Sequence, residues 1–491
     1  MGSCAQASEL INTAQLGLTL DTYFRADLVS FKNVVTLDSH NKDDATTYLG
    51  IDYSFALSAD FKDSGNRAYL KLERNGPYDY SAPIFIHNTL YTSVGQVEKY
   101  RGVQLLPQIE EFWYDAKVVG SFGVKAGLFI YEVGNGFALN GNYENYGLTL
   151  YMQTPDLLWR LYYCRPDLIY KYRLGPPVPQ EKAEEQNYEP NAANFFATDA
   201  KLVVGKQTFW PYLGMLADYT SAGKRGDNIF TAPVDRDLLG TFGAAWEFKD
   251  DNFTLKLEAA HNFGYAQSAN SDYKNITHAG YMFYTGFDCV LGKLVPELQF
   301  LVCSGNKATP EMAESGLTQY PGSRNRAFSY FSPTNYNLGD TISTSNVDML
   351  PIVAMSGGYG LNYGVLRPDT FASGDFENLM MPSLGFDYNF TDKLCLSIYG
   401  YYLRSFTRPV GVVEGRGAYL SQDLGYEADV FVDYKFNKNI TLGFLGGYYV
   451  PGQFYRVKRD DTEGSLFSPC VQSDGNVNNA YQIEFYAEMK F

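Results

Sequence analysis

The chain of 491 residues closes on AYQIEFYAEMKF, residues 480–491, and this stretch constrains the fold more than any other. Tyr481, Ile483, Phe485, Ala487, Met489 and Phe491 are apolar, and Gln482, Glu484, Tyr486, Glu488 and Lys490 lie between them. Successive strand side chains point to opposite faces, so this is a strand with one greasy side and one wet side. Left as an open edge in water, a strand of this length templates aggregation. It makes sense as the closing strand of a rolled sheet, apolar face to lipid and polar face to a lumen. A closed barrel is the one sheet that satisfies all its backbone groups in hydrocarbon.

The same two-residue period recurs upstream. Phe112, Tyr114, Ala116 and Val118 alternate with Glu111, Trp113, Asp115 and Lys117; Tyr426, Ala428, Val430, Val432 and Tyr434 alternate with Glu427, Asp429, Phe431, Asp433 and Lys435. About eighteen such segments follow one another. They lie at 12–25, 47–61, 68–74, 109–118, 122–131, 146–153, 157–165, 197–204, 207–219, 238–248, 253–263, 277–290, 294–303, 380–390, 394–404, 424–436, 440–450 and 480–491. Many neighbours meet in tight turns, as at Gly205 and Lys206, and long polar loops separate the pairs. The expected fold class is all-β: a transmembrane antiparallel up-and-down barrel with short turns at one end and long loops at the other. An even strand number puts both ends of the barrel on the short-turn side. Residues 1–11 read as an N-terminal arm carrying a signal remnant, because AQA before Ser8 has the small residues of a cleavage site. Residues 12–491 read as one barrel with a long insertion at about 304–377.

Composition removes the competing classes. No run approaches the roughly 18 apolar residues of a membrane helix, whereas 41 Tyr, 34 Phe and 46 Gly suit strands flanked by interfacial aromatics. A propeller or solenoid would repeat every 20–50 residues, and no such repeat is present. A formal charge of −16 speaks against nucleic-acid partners. The six Cys include no CxxC pair, so neither a zinc site nor a haem attachment is encoded. With four His and no HExxH, GxSxG or HxS, no catalytic or metal site and no cofactor is expected, and the chain does not read as an enzyme. The acidic loops NKDD (41–44) and RDDTEG (459–464) read as solvated charge; bridging lipopolysaccharide through divalent ions is the alternative.

A Lys or Arg facing lipid at mid-membrane costs ~2–4 kcal/mol, so the charged register must be the inner one. The pore-lining candidates are Lys71, Glu73, Glu111, Trp113, Asp115, Lys117, Lys125, Arg160, Lys256, Glu258, Glu427, Asp429, Asp433, Lys435, Glu484 and Glu488. Over all inward registers acids outnumber bases, a mildly acidic wall that favours cations or neutral polar solutes. The competing reading is that these charges pair along neighbouring strands and only stiffen the wall. Trp113, Trp210, Tyr151, Tyr399 and Tyr401 form either a stacking track for sugars or wall packing, the plainer option. An eighteen-stranded bore stays water-filled unless loops fold in, and the 304–377 insertion is the obvious constriction. The N-terminal arm is too short for a globular plug, which favours passive diffusion of small hydrophilic solutes.

Strand count, short turns and the terminal Phe491 resemble a bacterial outer-membrane porin of Gram-negative type. Within that class, VKAGLFIYEVGNGFALNGNYENYGLTL (124–150) and NRAFSYFSPTNYNLGD (325–340) resemble the alginate-export type of eighteen-stranded barrel. The resemblance implies outer-membrane lipid and lipopolysaccharide as surroundings, and insertion machinery that reads Phe491. It also implies arginines where this chain carries Leu128 and Phe129, and a basic pore where this wall is mixed. The alternatives are a non-conducting barrel that displays loops as an adhesin or scaffold, and a polysaccharide-export porin. The membrane reading predicts that the purified chain stays monodisperse only in detergent; size-exclusion chromatography after detergent removal should show aggregates, and a stable monomer would sink it.

Overall fold

The computed structural model describes residues 8–33, 45–74, 108–140, 145–165, 193–219, 234–268, 275–305, 378–457 and 477–491, with 307, 309–311, 324–326 and 351 between them. One sheet of 21 strands contains three short additions, and the other eighteen close into an antiparallel ring. In chain order these are β1 (Leu16–Lys32), β2 (Ala45–Phe61), β3 (Asn66–Arg74), β4 (Gln108–Val119), β5 (Phe122–Phe129) and β6 (Asn145–Gln153). Next come β7 (Leu157–Cys164), β8 (Ala193–Val204), β9 (Gln207–Asp218), β10 (Val234–Lys249), β11 (Phe253–Ser268) and β12 (Tyr281–Cys289). The ring ends with β13 (Leu294–Cys303), β14 (Leu379–Thr391), β15 (Leu394–Ser405), β16 (Asp423–Lys435), β17 (Ile440–Pro451) and β18 (Ala480–Lys490). Each strand pairs with the next, and β18 pairs back onto β1 from Tyr23↔Lys490 to Lys32↔Tyr481. Among the described residues no helix is long and apolar enough to cross a membrane.

Every expected segment is a strand, and the differences lie at the ends. β1 starts at Leu16 and runs to Lys32, beyond the expected Arg25, because it pairs with β2 along its whole length, Leu16↔Phe61 to Lys32↔Ala45. The segment expected at 277–290 divides into a short strand Ile276–His278 and β12. Residues 8–11, expected as part of the N-terminal arm, form with Asn12 a short strand that pairs with residues 17–20 of β1. One edge of β1 is therefore shared: β18 takes its upper part and Ser8–Asn12 its lower part. At the junction Phe491 and Thr22 exchange two backbone hydrogen bonds of 2.8 and 2.9 Å.

The two faces of the wall separate as the alternation requires. Phe112, Leu298, Leu384 and Phe485 are each more than half exposed on the outside, a belt that only a non-aqueous surrounding accommodates. On the inside a three-strand unit recurs. Tyr151 of β6 lies over Gly123 of β5 and donates its hydroxyl to Asp115 of β4. Tyr212 of β9 lies over Gly243 of β10 and donates to Glu258 of β11 at 2.7 Å. Tyr486 of β18 lies over Gly443 of β17 and donates to Asp433 of β16. The ring lies flat because the strand between has no Cβ; at Gly243 a Cβ would meet the Tyr212 ring at 2.6 Å. A glycine that would weaken a strand is thus covered by an aromatic from its neighbour.

Of the 304–377 insertion, residues 304, 305, 307, 309–311, 324–326 and 351 are described. Arg324–Asn325 runs parallel to Thr277 and His278, and the Ser304 hydroxyl donates to the Arg326 carbonyl at 2.7 Å. The expectation that the insertion narrows the bore lies outside the described residues, as do the acidic loops 41–44 and 459–464, residues 1–7 and Cys470. Among the described residues Cys164, Cys289, Cys303 and Cys395 form no disulfide. Replacing Gly443 by Ala is expected to lower barrel stability by about 1–3 kcal/mol through overpacking. Denaturant unfolding in detergent should read this, and adding Tyr486→Ala should remove the steric part of the loss.

Candidate functional site

Residues 130–140, between β5 and β6, form a loop that turns inward. Two glycines make the turn possible: Gly134 and Gly136 take φ of 67° and 81°, in the left-handed region. Glu132–Val133 then pairs with Leu139–Asn140 as a two-residue hairpin. Tyr131, Val133, Phe137, Ala138 and Leu139 are each no more than 2% exposed, which a loop in water would not achieve. They pack on the inner wall. Tyr131 stacks flat on Tyr162 of β7 at 4.2 Å between centroids, and Phe137 meets Tyr284 of β12 at 4.6 Å. Leu139 lies against Gly214 of β9, where a Cβ would come within 2.7 Å of it.

Polar contacts complete the seat. The Tyr131 hydroxyl donates to Asp199 Oδ1 of β8 at 2.5 Å, and Arg160 Nη2 of β7 donates to the Glu132 carbonyl at 3.0 Å. The Asn135 N–H donates to Glu258 Oε2 of β11 at 2.7 Å. The loop thus reaches from β5 past β7, β8 and β9 to β11 and β12, inside the ring. Asp199 is the hub. Its carboxylate, fully buried, also accepts from Arg160 Nε and Nη2 at 3.1–3.2 Å and from Trp210 Nε1 at 2.7 Å. Several donors, one of them a guanidinium fork, hold a buried carboxylate in place.

The other inward candidates fall on the side of the wall opposite the exposed apolar set. Lys71 pairs with Glu73 on β3. On β4, Glu111 accepts from Trp113 Nε1 at 3.0 Å. Lys125 sits between the rings of Trp113 and Phe129, 4.0 and 4.4 Å from their centroids, and Lys117 over Tyr151 at 4.7 Å. Lys256 is half-buried on β11 and Lys435 is exposed at the short-turn end of β16. Glu427 and Asp429 are buried on β16. Glu484 is bridged to Asp27 by Arg25, whose Nε lies 2.5 Å from Asp27 Oδ1. Glu488 pairs with Lys490 at 2.6 Å.

Wall packing accounts for the aromatics considered as a sugar track. Trp113 stacks on Tyr69 at 5.1 Å with Lys125 against its ring, and Trp210 is flanked by Arg160 and Lys201. Tyr399 lies over Gly385 and donates to Asp387 at 2.7 Å; Tyr401 is buried. Sequence reasoning missed Arg25, Tyr131 and the inward path of 130–140. The available signal was Tyr131, Phe137 and Leu139, three large apolar side chains inside a glycine-rich loop. Substituting Asp199 by Ala is expected to cost about 3–5 kcal/mol, because Arg160 loses its buried partner. Denaturant unfolding in detergent should show this as a shifted midpoint.

No family model matches the chain, and no curated protein matches it in sequence. Solved structures match almost end to end. Pseudomonas aeruginosa OccK8 (OprE) aligns at 7% identity with a TM-score of 0.52, covering 96% of this chain and 98% of that one. Pseudomonas aeruginosa OccK2 (OpdF) aligns at 8% identity and 0.51, covering 96% and 97%; Pseudomonas aeruginosa OpdQ at 9% and 0.50, covering 97% and 98%. At such identities the likeness is one of fold, and it does not single out the alginate-export type. The chain shares with these neighbours the eighteen-stranded barrel of outer-membrane porins.

Proposed function

We propose that the protein is a passive channel of the bacterial outer membrane for small hydrophilic solutes, leaning toward neutral or cationic ones. The observation that supports this is the partition of the wall: a closed ring with its apolar belt outside, its charged register inside, and an inward loop narrowing the bore. Rings of this size leave an aqueous passage in their centre. The cationic lean follows from how the inner acids are satisfied. Asp115, Asp387 and Asp433 accept from tyrosine hydroxyls, which stabilise a carboxylate without neutralising it. Lys125, Lys117 and Arg160 spread their charge over aromatic faces.

Membrane lipid and lipopolysaccharide are the expected surroundings of the belt, and insertion machinery is the partner assigned to Phe491. The reading is a channel rather than an enzyme. The alginate-export alternative asks for arginines at two positions where Leu128 shares the outward register of Phe112 and Tyr146, and Phe129 packs on Tyr162. The loop-displaying scaffold has one observation in its favour: Glu427, Asp429, Gln482 and Glu484, all on inward registers, are no more than 3% exposed. Planar-bilayer recordings decide between them. Discrete conductance steps in symmetric salt are expected, with a reversal potential of cation sign in a salt gradient. Absent steps would favour the scaffold, and strong anion preference would overturn the cationic lean.

A further inference from the structure

Two carboxylates of the wall hold the inward loop, and they differ in what else they hold. Asp199 keeps Arg160 and Trp210 whether or not Tyr131 is present. Glu258 is 1% exposed, and its carboxylate accepts from the Tyr212 hydroxyl and the Asn135 N–H, with the Ala138 N–H of the same loop also turned to it. No ion pair engages it among the described residues. The loop is shaped around that carboxylate. Gly134 and Gly136 flank Asn135 in left-handed conformations, which glycine takes without steric cost, and the turn they make presents the Asn135 N–H to the carboxylate. A Cβ on Gly134 would stand 3.0 Å from Glu258 Oε2, so glycine at that position lets the loop close on the carboxylate. A buried carboxylate and a buried amide each need the other, and losing either partner leaves the other unsatisfied.

We propose that Glu258 is the positioning residue that sets the aperture: its carboxylate pins loop 130–140 across the lumen at the β11 side, and without it the loop releases and the bore widens. The inference rests on the channel reading above. The test compares the intact protein with Glu258→Ala, Glu258→Gln and Gly134→Ala, each shown to be folded by its heat-dependent gel mobility. In bilayers Glu258→Ala and Gly134→Ala should each add an open level roughly twofold above the wild-type one, and Glu258→Gln, whose amide oxygen still accepts the Asn135 N–H, should keep the single level. In parallel, chymotrypsin should cut the folded Glu258→Ala barrel at Tyr131 or Phe137 about tenfold faster than wild type, since cleavage follows the open population. If Glu258→Ala conducts and is cleaved as wild type does, the latch is refuted. Should Glu258→Ala fail to fold, Gly134→Ala decides by the same two readings. A wild type without conductance steps defeats the channel reading alone, and the cleavage rates then decide the latch.

Discussion

Every backbone N–H and C=O of a sheet surrounded by hydrocarbon must find its partner within the sheet, and the rest of this structure depends on that demand. The pairing of β18 with β1 meets it, because an open edge on either strand would face lipid with unsatisfied groups. Closure then forces the division of side chains. Once the sheet is a ring, alternation sends one register outward and one inward with no third option, which is why Phe112 and Trp113, adjacent in sequence, lie in different solvents.

An enclosed, charged inner register creates a second demand, for hydrogen-bond donors. The wall meets much of it with phenols rather than bases. In three places a tyrosine crosses a glycine to reach a carboxylate two strands away, at Asp115, Glu258 and Asp433. Each unit ties three strands together by contacts the backbone ladder does not provide. It also keeps the rings flat on the wall, so large side chains take little of the lumen. At Asp199 and Arg25 opposite charges meet in a buried setting instead, and Asp199 sits where the loop docks.

The strands were legible because a period of two is written locally: each segment carries its own apolar and polar registers. Their number, the shared end of the first and last strands and the inward face all follow from that. The loop at 130–140 was not legible, since glycines there suggest a solvated turn and nothing local says that Tyr131 finds Asp199 68 residues on or that Asn135 finds Glu258 123 residues on. Such pairs are set by ring closure, which decides who faces whom across the lumen. Arg25 and Glu484, 459 residues apart, are neighbours for the same reason. Trp113 and Trp210 have cations against their rings, a three-dimensional arrangement that spacing does not encode.

The short strand Ser8–Asn12 carries a consequence for assembly. It occupies residues 17–20 of β1, the part of that edge just below where β18 ends. When the last strand zips onto the first, sliding downward by a dipeptide step, the smallest slip that keeps the apolar face outward, brings it into collision with this segment. The hairpin therefore closes off that side: no free edge of β1 is left at residues 17–20 for the final strand to take.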